Sequence, residues 1–276
     1  MPQSGGTYVG TPVAFFEQHG SGLAPTRFAV SAWSPDMLTG PAVCGALARA
    51  IETTSGDDDF VPARITVDMF RPVRNTLLQI ETTPVRDGNR IRVTDAAIVQ
   101  DGEVSAQARV VFLRRSTAPQ GDYWTDPEVP RPPSVDESDR DRRRAHWGSG
   151  DDTDWTTHMS DHQGAERKRV WMRQFPIVAG EESSLFVNTT MVGELTSLLT
   201  NWGSDGVGYI NADLTLALAR LPESLEIGVV ADRHVAADGV AVGTTTLFDR
   251  KGVFGTGLTT ALGNGRRIVD YSRPPG

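Results

Sequence analysis

The sequence predicts an α+β protein built from two tandem units, each with a long helix wrapped by an antiparallel β-sheet. Two segments, 41–52 and 189–202, have apolar residues at helical spacing. Each is followed by segments in which polar and apolar residues alternate, as they do in half-buried strands. The whole order occurs twice at an offset of about 150 residues, which indicates an internal repeat.

The two units are predicted to occupy residues 1–115 and 166–276, joined by a Pro/Asp/Arg-rich linker of residues 116–165. Within the linker the periodicity is lost and prolines recur, as expected for an extended surface segment. A chain of 276 residues can form two domains of moderate size and bury a core without disulfides.

Composition argues against several kinds of partner. The formal net charge of −8 disfavours a nucleic-acid binder, which needs a basic surface. Cys44 is the only cysteine, so the sequence offers no intrachain disulfide, and we expect a buried thiol in a reducing compartment. No apolar run approaches the roughly 20 residues that span a bilayer, and the N-terminus lacks a signal-peptide pattern. We therefore expect a cytoplasmic protein without a membrane or nucleic-acid partner.

The first unit opens with a predicted helix from Pro41 to Glu52, because proline is tolerated in a first helical turn. Small residues on this helix would let a sheet approach closely: Ala42, Gly45, Ala46 and Ala48. Strands are predicted near 65–70, 77–83, 91–100 and 104–114. The turns at 86–89 and 101–102 contain Asp-Gly, a dipeptide that tight hairpins favour.

The second unit opens with a predicted helix from Thr189 to Trp202. Residues 188–190 supply side chains that cap helices, and Gly203 fits just past the helix end. Glu194 lies at the edge of the apolar arc of this helix, so we expect its carboxylate to be partly sheltered. Strands are predicted at 209–219, 225–231, 239–248 and 253–261.

The sequence contains no motif of a common cofactor, metal or nucleophile site. The G-x-S-x-G, Walker, H-E-x-x-H and G-x-G-x-x-G patterns are missing. His158, Asp161 and His162 have the spacing of metal ligands but fall in the linker, where an ordinary polar loop is expected. Cys44 is expected in the core, which argues against a Cys–His nucleophile. The sequence therefore predicts neither a metal nor a cofactor.

Short motifs in both units match one known family in order and spacing. In the first unit they are Phe70-Arg71-Pro72, Val85-Arg86-Asp87-Gly88-Asn89-Arg90 and Val99-Gln100-Asp101-Gly102. In the second unit they are Tyr209-Ile210-Asn211-Ala212-Asp213-Leu214, Ala219-Arg220-Leu221-Pro222, Asp238-Gly239 and Leu247-Phe248-Asp249-Arg250-Lys251-Gly252. On these motifs the chain resembles the TesB-type acyl-CoA thioesterases. The resemblance implies a double hotdog fold, with an N-terminal hotdog over 1–115 and a C-terminal hotdog over 166–276.

The resemblance also implies catalytic residues in the second unit. In the family, the C-terminal hotdog carries an aspartate on its helix, a threonine or asparagine on the next strand and a glutamine on the last strand. These positions fall on Glu194, Asn211 and Thr260, or on Thr259 if the register of the last strand shifts by one. Threonine in place of glutamine is a departure, because it has a shorter reach and one donor instead of two.

The implied activity is hydrolysis of an acyl-CoA to a fatty acid and CoA. Glu194 would be the base that activates water, with a pKa raised by partial desolvation. Asn211 and Thr260 would position the water or the thioester carbonyl, and Asp213, two residues from Asn211 and on the same face, would orient them. Backbone N–H groups near Gly40 and Ala42 would polarise the carbonyl.

Further expectations concern substrate and assembly. The acyl chain would lie in an apolar tunnel between helix and sheet, and local arginines would contact the CoA moiety: Arg71, Arg74, Arg114 and Arg115. Two chains are expected to form a homodimer. The alternative function is a non-catalytic acyl-CoA-binding or lipid-binding hotdog protein with a degenerate site, which the missing glutamine favours. A hotdog hydratase is disfavoured, because neither predicted helix contains a histidine.

Overall fold

The computed structural model of the chain describes residues 13–125, 130–134, 145–150 and 154–272. The first unit contains one helix and six strands. Its elements are β1 (Phe16–His19), β2 (Gly22–Pro25), α1 (Gly40–Ser55), β3 (Phe60–Met69), β4 (Gln79–Asp87), β5 (Ile91–Gln100) and β6 (Glu103–Arg114). The predicted helix and strands of this unit are therefore confirmed, with the β1–β2 hairpin in addition.

The second unit has the same order, with a helix before its long strands. Two edge strands come first, β7 (His146–Ser149) and β8 (Lys168–Met172), followed by the helices α2 (Leu185–Gly193) and α3 (Thr196–Asn201). Four short strands and three long ones follow: β9 (Trp202–Gly203), β10 (Gly206–Val207), β11 (Tyr209–Asn211), β12 (Asp213–Leu218), β13 (Ile227–Ala237), β14 (Val240–Asp249) and β15 (Gly252–Gly263).

The two units share one antiparallel sheet. Its strand order is β4-β5-β6-β3-β12-β15-β14-β13-β8-β7, with β11 also paired to β15. The units meet where β3 pairs with β12, and Thr66 lies opposite Thr215 with their hydroxyl oxygens 3.3 Å apart. The α+β class with two helix-and-sheet units is confirmed, whereas the boundaries at 115 and 166 stay predictions.

Helix α1 packs on helix α2 as well as on its own sheet. Pro41 lies in its first turn, and Thr39 is the capping residue. A β-carbon at Gly45 would overlap Ile177 and Met191. Gly45 is predicted to let a sheet approach closely. It lies against the second unit instead, because Met191 belongs to α2.

The single helix predicted for the second unit is wrong in two respects. It begins at Leu185, where the Ser184 hydroxyl accepts from the Val187 N–H at 3.1 Å, so residues 188–190 lie inside the helix. It also breaks after Gly193. The Leu195 N–H donates to the Val192 carbonyl, a tighter i→i−3 bond that interrupts the α-helical ladder.

The predicted turn at Asp101-Gly102 is confirmed by backbone geometry, whereas at 86–89 Asp87 still belongs to β4 and neither Asp87 nor Gly88 has a positive φ. Asp101 and Gly102 join β5 to β6 with φ values of 53° and 79°. Asp238 and Gly239 join β13 to β14 with φ values of 52° and 78°. Two consecutive positive φ values define the turn whose twist suits antiparallel strands, and Asp-Gly is one of the few dipeptides that adopt it readily.

The described part of the predicted linker is more ordered than its composition indicates. Strand β7 adds to the edge of the sheet beside β8, so backbone pairing compensates for the weak sequence pattern. His162, one of the three residues with metal-like spacing, is buried and bonded by Ser149 and Thr156 at 3.0 and 2.9 Å. It fastens the segment to β7, and within the described ranges no group of three His, Cys, Asp or Glu could hold a metal.

Across the residues that the structure describes, no helix has the length and apolarity needed to cross a bilayer.

A buried ion pair closes the β14–β15 hairpin. The Asp249 carboxylate, 2% exposed, accepts from Arg220 at 2.7 and 2.8 Å and from the N–H groups of Glu223 and Lys251, both at 2.9 Å. Burial alone would raise the pKa of Asp249, but these hydrogen bonds outweigh it and hold the pKa below its usual range.

We expect Asp249→Ala to lower the free energy of unfolding by about 3 kcal/mol, because it leaves Arg220 and two N–H groups without their acceptor. Chemical denaturation at neutral pH measures this. Glu103→Ala is the control: it removes the exposed partner of Arg71 and should cost less than about 1 kcal/mol. Equal losses in the two variants would contradict this account of Asp249.

Candidate active site

The candidate site is centred on the carboxyl group of Glu194, at the break between α2 and α3. The side chain is 7% exposed, although sequence pattern puts it only at the edge of the apolar arc. Glu194 keeps helical φ and ψ values of −62° and −24°, and its burial comes from contact with the start of α1 in the first unit. A β-carbon at Gly193 would overlap Leu216, so this turn lies directly against strand β12.

The carboxyl group lies against the N-terminus of α1. A β-carbon at Gly40, the first residue of α1, would overlap the Glu194 carboxyl oxygens. Any larger residue at this position would force the Glu194 carboxyl group to move. The first N–H groups of a helix have no acceptor within it and carry partial positive charge. Gly40 and Ala42 provide such groups, since Pro41 between them has no N–H.

Asn211 provides the polar partner. Its Nδ2 donates to Glu194 Oε1 at 3.1 Å and also lies 3.9 Å from the Met69 sulfur. Strand β11 holds Asn211 at this position by pairing with β15, where Asn211 lies opposite Ala261. The structure thus brings two of the predicted site residues, Glu194 and Asn211, together through a direct hydrogen bond.

Burial raises the pKa of Glu194 to about 8, and the hydrogen bond from Asn211 lowers it only in part. A carboxyl group with this pKa changes protonation state close to neutral pH. It can accept a proton there, because a base works best when its pKa lies near the working pH. Strongly perturbed carboxyl groups of this kind are concentrated at functional sites.

Thr260 does not meet Glu194. Its hydroxyl donates to Asp213 Oδ2 at 2.5 Å, and its N–H donates to Asp213 Oδ1 at 2.7 Å. Along β12 the buried residues are Leu214, Leu216 and Leu218, so Asp213 points to the sheet face opposite the helices. Thr260 and Asp213 form a separate pair on that outer face, and neither contacts Glu194.

The expectation that Asn211 and Asp213 share a face is wrong because the strand is interrupted between them. Ala212 belongs neither to β11 nor to β12; its N–H donates to the Thr260 carbonyl and its carbonyl accepts from the Met69 N–H, both at 2.8 Å. This irregularity shifts the period-two alternation by one residue. Asn211 therefore faces the helices and Asp213 faces away.

Of the two threonines considered for the glutamine position, Thr259 is the one that faces the helices. It is fully buried, and its hydroxyl donates to the Asp213 carbonyl at 2.9 Å. The register shift by one residue considered for the glutamine position thus corresponds to the observed facing of β15. The Thr259 hydroxyl is nevertheless bonded to the backbone and makes no hydrogen bond to Glu194.

Two titratable groups lie near Glu194 that the sequence does not place in the site: Cys44, which it predicts only in the core, and Tyr271. Burial and then the charge of Glu194 raise the pKa of Cys44, which is one turn after Gly40 on the same face of α1. Burial and then the charge of Glu194 also raise the pKa of Tyr271. Because Gly40 and Cys44 are four residues apart on α1, helical spacing could have predicted that Cys44 lies on the same face as Gly40. Tyr271 lies 77 positions beyond Glu194, and no local pattern links the two.

The C-terminal segment brings Tyr271 to this part of the molecule. Val269 pairs with Val207 just before β11, and the Tyr271 N–H donates to Gln163 at 2.9 Å. The Tyr271 ring packs edge-on against Trp202 with centroids 5.8 Å apart. This segment therefore joins the loop before β11 to the end of α3 beside the site.

The four arginines expected to contact CoA do not converge. Arg71 and Arg74 lie beyond the Met69 end of β3 and pair with Glu103 and Asp101. Arg114 and Arg115 lie at the Phe60 end, where Arg114 is opposite Phe60. Strand geometry separates the two ends of β3 by roughly 30 Å, so one CoA molecule cannot contact all four.

Sequence comparison identifies a family for the first unit. Residues 29–113 match the family described as the acyl-CoA thioesterase N-terminal domain. No curated protein sequence matches the chain.

Solved structures resemble the whole fold. A tesB protein from Mycobacterium avium subs paratuberculosis is 15% identical with a TM-score of 0.63, covering 90% of this chain and 95% of its own. A protein from Alicyclobacillus acidocaldarius described as having a hot dog fold is 15% identical with a TM-score of 0.62, over 91% and 96%. The acyl-CoA thioesterase II TesB2 from Mycobacterium marinum is 15% identical with a TM-score of 0.57, over 83% and 90%. These similarities confirm the hotdog fold.

The pKa of Glu194 predicts how stability depends on pH. The folded protein holds this proton up to about pH 8, whereas the unfolded chain releases it near the ordinary glutamate pKa of 4.5. Between these values the folded state binds more protons, so the free energy of unfolding falls as pH rises and levels off above about pH 8. We expect Glu194→Gln to remove this fall, which is on the order of 4 kcal/mol between about pH 5 and pH 9.

Chemical denaturation at both pH values measures the difference between wild type and Glu194→Gln. Glu81→Gln, a change at an exposed position of β4, is the control and should retain the wild-type pH dependence. A parallel pH dependence in wild type and Glu194→Gln would contradict the perturbed pKa of Glu194.

Proposed function

We propose that this TesB-like double hotdog protein is an acyl-CoA thioesterase, in which Glu194 activates the water that hydrolyses the thioester. The observation that carries the proposal is the buried Glu194 carboxyl group, with its pKa of about 8, between the amide of Asn211 and the first residue of α1. The acyl-CoA thioesterase domain matched over residues 29–113 supports this reaction class.

In the proposed reaction the ionised Glu194 takes a proton from water while the water oxygen attacks the carbonyl carbon of the thioester. The tetrahedral intermediate collapses, the carbon–sulfur bond breaks, and the thiolate of CoA receives the proton back from Glu194. The products are a carboxylic acid and free CoA. The enzyme ends in its starting state, so the reaction needs no cofactor.

Asn211 is proposed to fix the orientation of the base. Its Nδ2 donates to Glu194 Oε1, which leaves Oε2 as the oxygen available to water. The same hydrogen bond favours the ionised form and so partly offsets the effect of burial on the pKa.

The N-terminus of α1 is proposed to stabilise the negative charge that develops on the thioester oxygen. Its first N–H groups, at Gly40 and Ala42, have no acceptor in the helix, and the helix dipole favours an anion at this end. A fixed donor aimed at developing charge is usually the largest contribution to catalysis in acyl transfer. The acyl group would extend from this point toward the apolar residues between helix and sheet, where each buried methylene contributes about 0.8 kcal/mol.

A non-catalytic acyl-CoA-binding protein remains the second candidate, and one observation favours it. Thr260 is at the position implied for the family glutamine, and its hydroxyl donates a hydrogen bond to Asp213 instead of to Glu194. The site would then lack one of its three polar groups. Binding of acyl-CoA without release of free thiol would decide for this candidate.

The first functional prediction concerns the pH dependence of hydrolysis. Because the base must be ionised, kcat/KM should rise with pH and level off above about pH 8. Glu194→Gln should lower kcat by about 100-fold or more. A thiol-release assay over a panel of short to long acyl-CoAs measures both effects, and wild-type turnover in Glu194→Gln would remove Glu194 from the mechanism.

The second functional prediction separates the two residues named beside Glu194. Asn211→Ala should lower kcat by about 10-fold or more, because it removes the hydrogen bond that orients the base. Thr260→Ala should leave kcat within about threefold of wild type, because its hydroxyl bonds Asp213 on the outer face of the sheet. The same assay measures both, with circular dichroism to verify folding. The reverse order of effects would contradict this assignment.

A further inference from the structure

A groove lined by arginines lies at the end of the first unit remote from Glu194. It is open to solvent and has a volume of about 590 Å³ beside the β4–β5 hairpin and the end of β6. Its lining includes four arginines, Arg86, Arg90, Arg114 and Arg115, with Ile91 and Leu113 as apolar contacts. This volume lies within the range of small-molecule sites.

The charges of the groove are poorly compensated by the protein itself. Within the described part of the chain, Arg114 alone of the four has a carboxylate partner, Asp59, at 3.1 Å, and Arg115 donates to the carbonyl of Asp58. Among the described residues, Arg86 and Arg90 form no ion pair. The lining contains no acidic side chain, in a chain whose formal net charge is −8. A concentrated positive field on an acidic protein attracts anions to this groove.

The groove is also partly ordered in advance. The Arg114 Nε donates to the Asn89 carbonyl at 2.6 Å, and its guanidinium lies 4.9 Å from the centre of the Phe60 ring. Ile91 and Leu113 lie opposite each other across β5 and β6 and fix the separation of the two strand ends. An anion entering the groove would thus meet at least one guanidinium already held in position.

The groove is separate from the candidate active site. Arg114 lies opposite Phe60 at one end of β3, whereas Ala106 lies opposite Met69 at the other end, near Asn211. Between Ala106 and Arg114 strand β6 advances by roughly 26 Å. A ligand of the groove is therefore distinct from a thioester carbonyl held at Glu194.

We propose that this groove binds a soluble small molecule with two or more phosphoryl groups. Planar guanidinium groups bind phosphoryl oxygens in a bidentate manner, and four guanidinium groups offer more N–H donors than the oxygens of a single phosphoryl group can accept. A free ligand is favoured over a lipid headgroup, because the apolar lining consists of only two side chains.

Isothermal titration calorimetry with inorganic pyrophosphate at low and at physiological salt tests the proposal. We expect saturable one-to-one binding that weakens as salt increases. The double variant Arg86→Ala/Arg90→Ala should weaken binding by about tenfold or more, because charge-assisted hydrogen bonds to phosphate are strong. The control Arg109→Ala/Arg233→Ala removes the same charge elsewhere and should leave binding within about twofold.

Several results would overturn the proposal. These are no saturable heat with pyrophosphate, an equal loss of affinity in both double variants, or binding to vesicles of phosphatidylglycerol and phosphatidylcholine without binding to pyrophosphate. Thermal unfolding of each variant without ligand shows whether it is folded. Thiol release from acyl-CoA is measured separately, so failure of the groove proposal leaves the proposal for Glu194 standing.

Discussion

The burial of the Glu194 carboxyl group against the first residue of α1 is the constraint on which the rest of the site depends. It raises the pKa to about 8 and leaves room only for glycine at position 40 while the carboxyl group keeps its place. Glu194 itself remains helical, and its N–H donates to the Thr190 carbonyl at 3.1 Å. These features have meaning only together, because a carboxyl group is buried at high cost unless a polar partner and a compatible backbone receive it.

The internal repeat explains why such a junction can exist. Pairing of β3 with β12 brings the helices of the two units together. The N-terminus of α1 lies beside the C-terminal end of α2, and the N-terminus of α2 lies beside the last turn of α1. At the second junction Ser184, which caps α2, donates its hydroxyl to Glu52 at 2.6 Å. Burial raises the pKa of Glu52 and the bond from Ser184 lowers it in part, so this carboxyl already has a partner within the fold. Only the Glu194 junction has an amide beside its carboxyl.

Much of the fold follows from the sequence, because helical spacing, strand alternation and Asp-Gly turns are local signals. Strand β7 could not be predicted, since it depends on pairing with β8, whereas the helix start at Ser184 is a local serine cap that the prediction did not use. In the site, Glu194 and Asn211 were predictable through the family resemblance. Tyr271 was not, because only tertiary packing on Trp202 brings it near.

The position of Thr260 shows where such carry-over fails. A residue assigned along a strand keeps its face only while the alternation is unbroken, and Ala212 interrupts the neighbouring strand. Asp213 then faces outward and takes the Thr260 hydroxyl and N–H for itself. Hydrolysis at this site would therefore rest on a carboxyl, one amide and a helix N-terminus. Of these, the helix N-terminus acts through its backbone, so it is the group that substitution of side chains affects least.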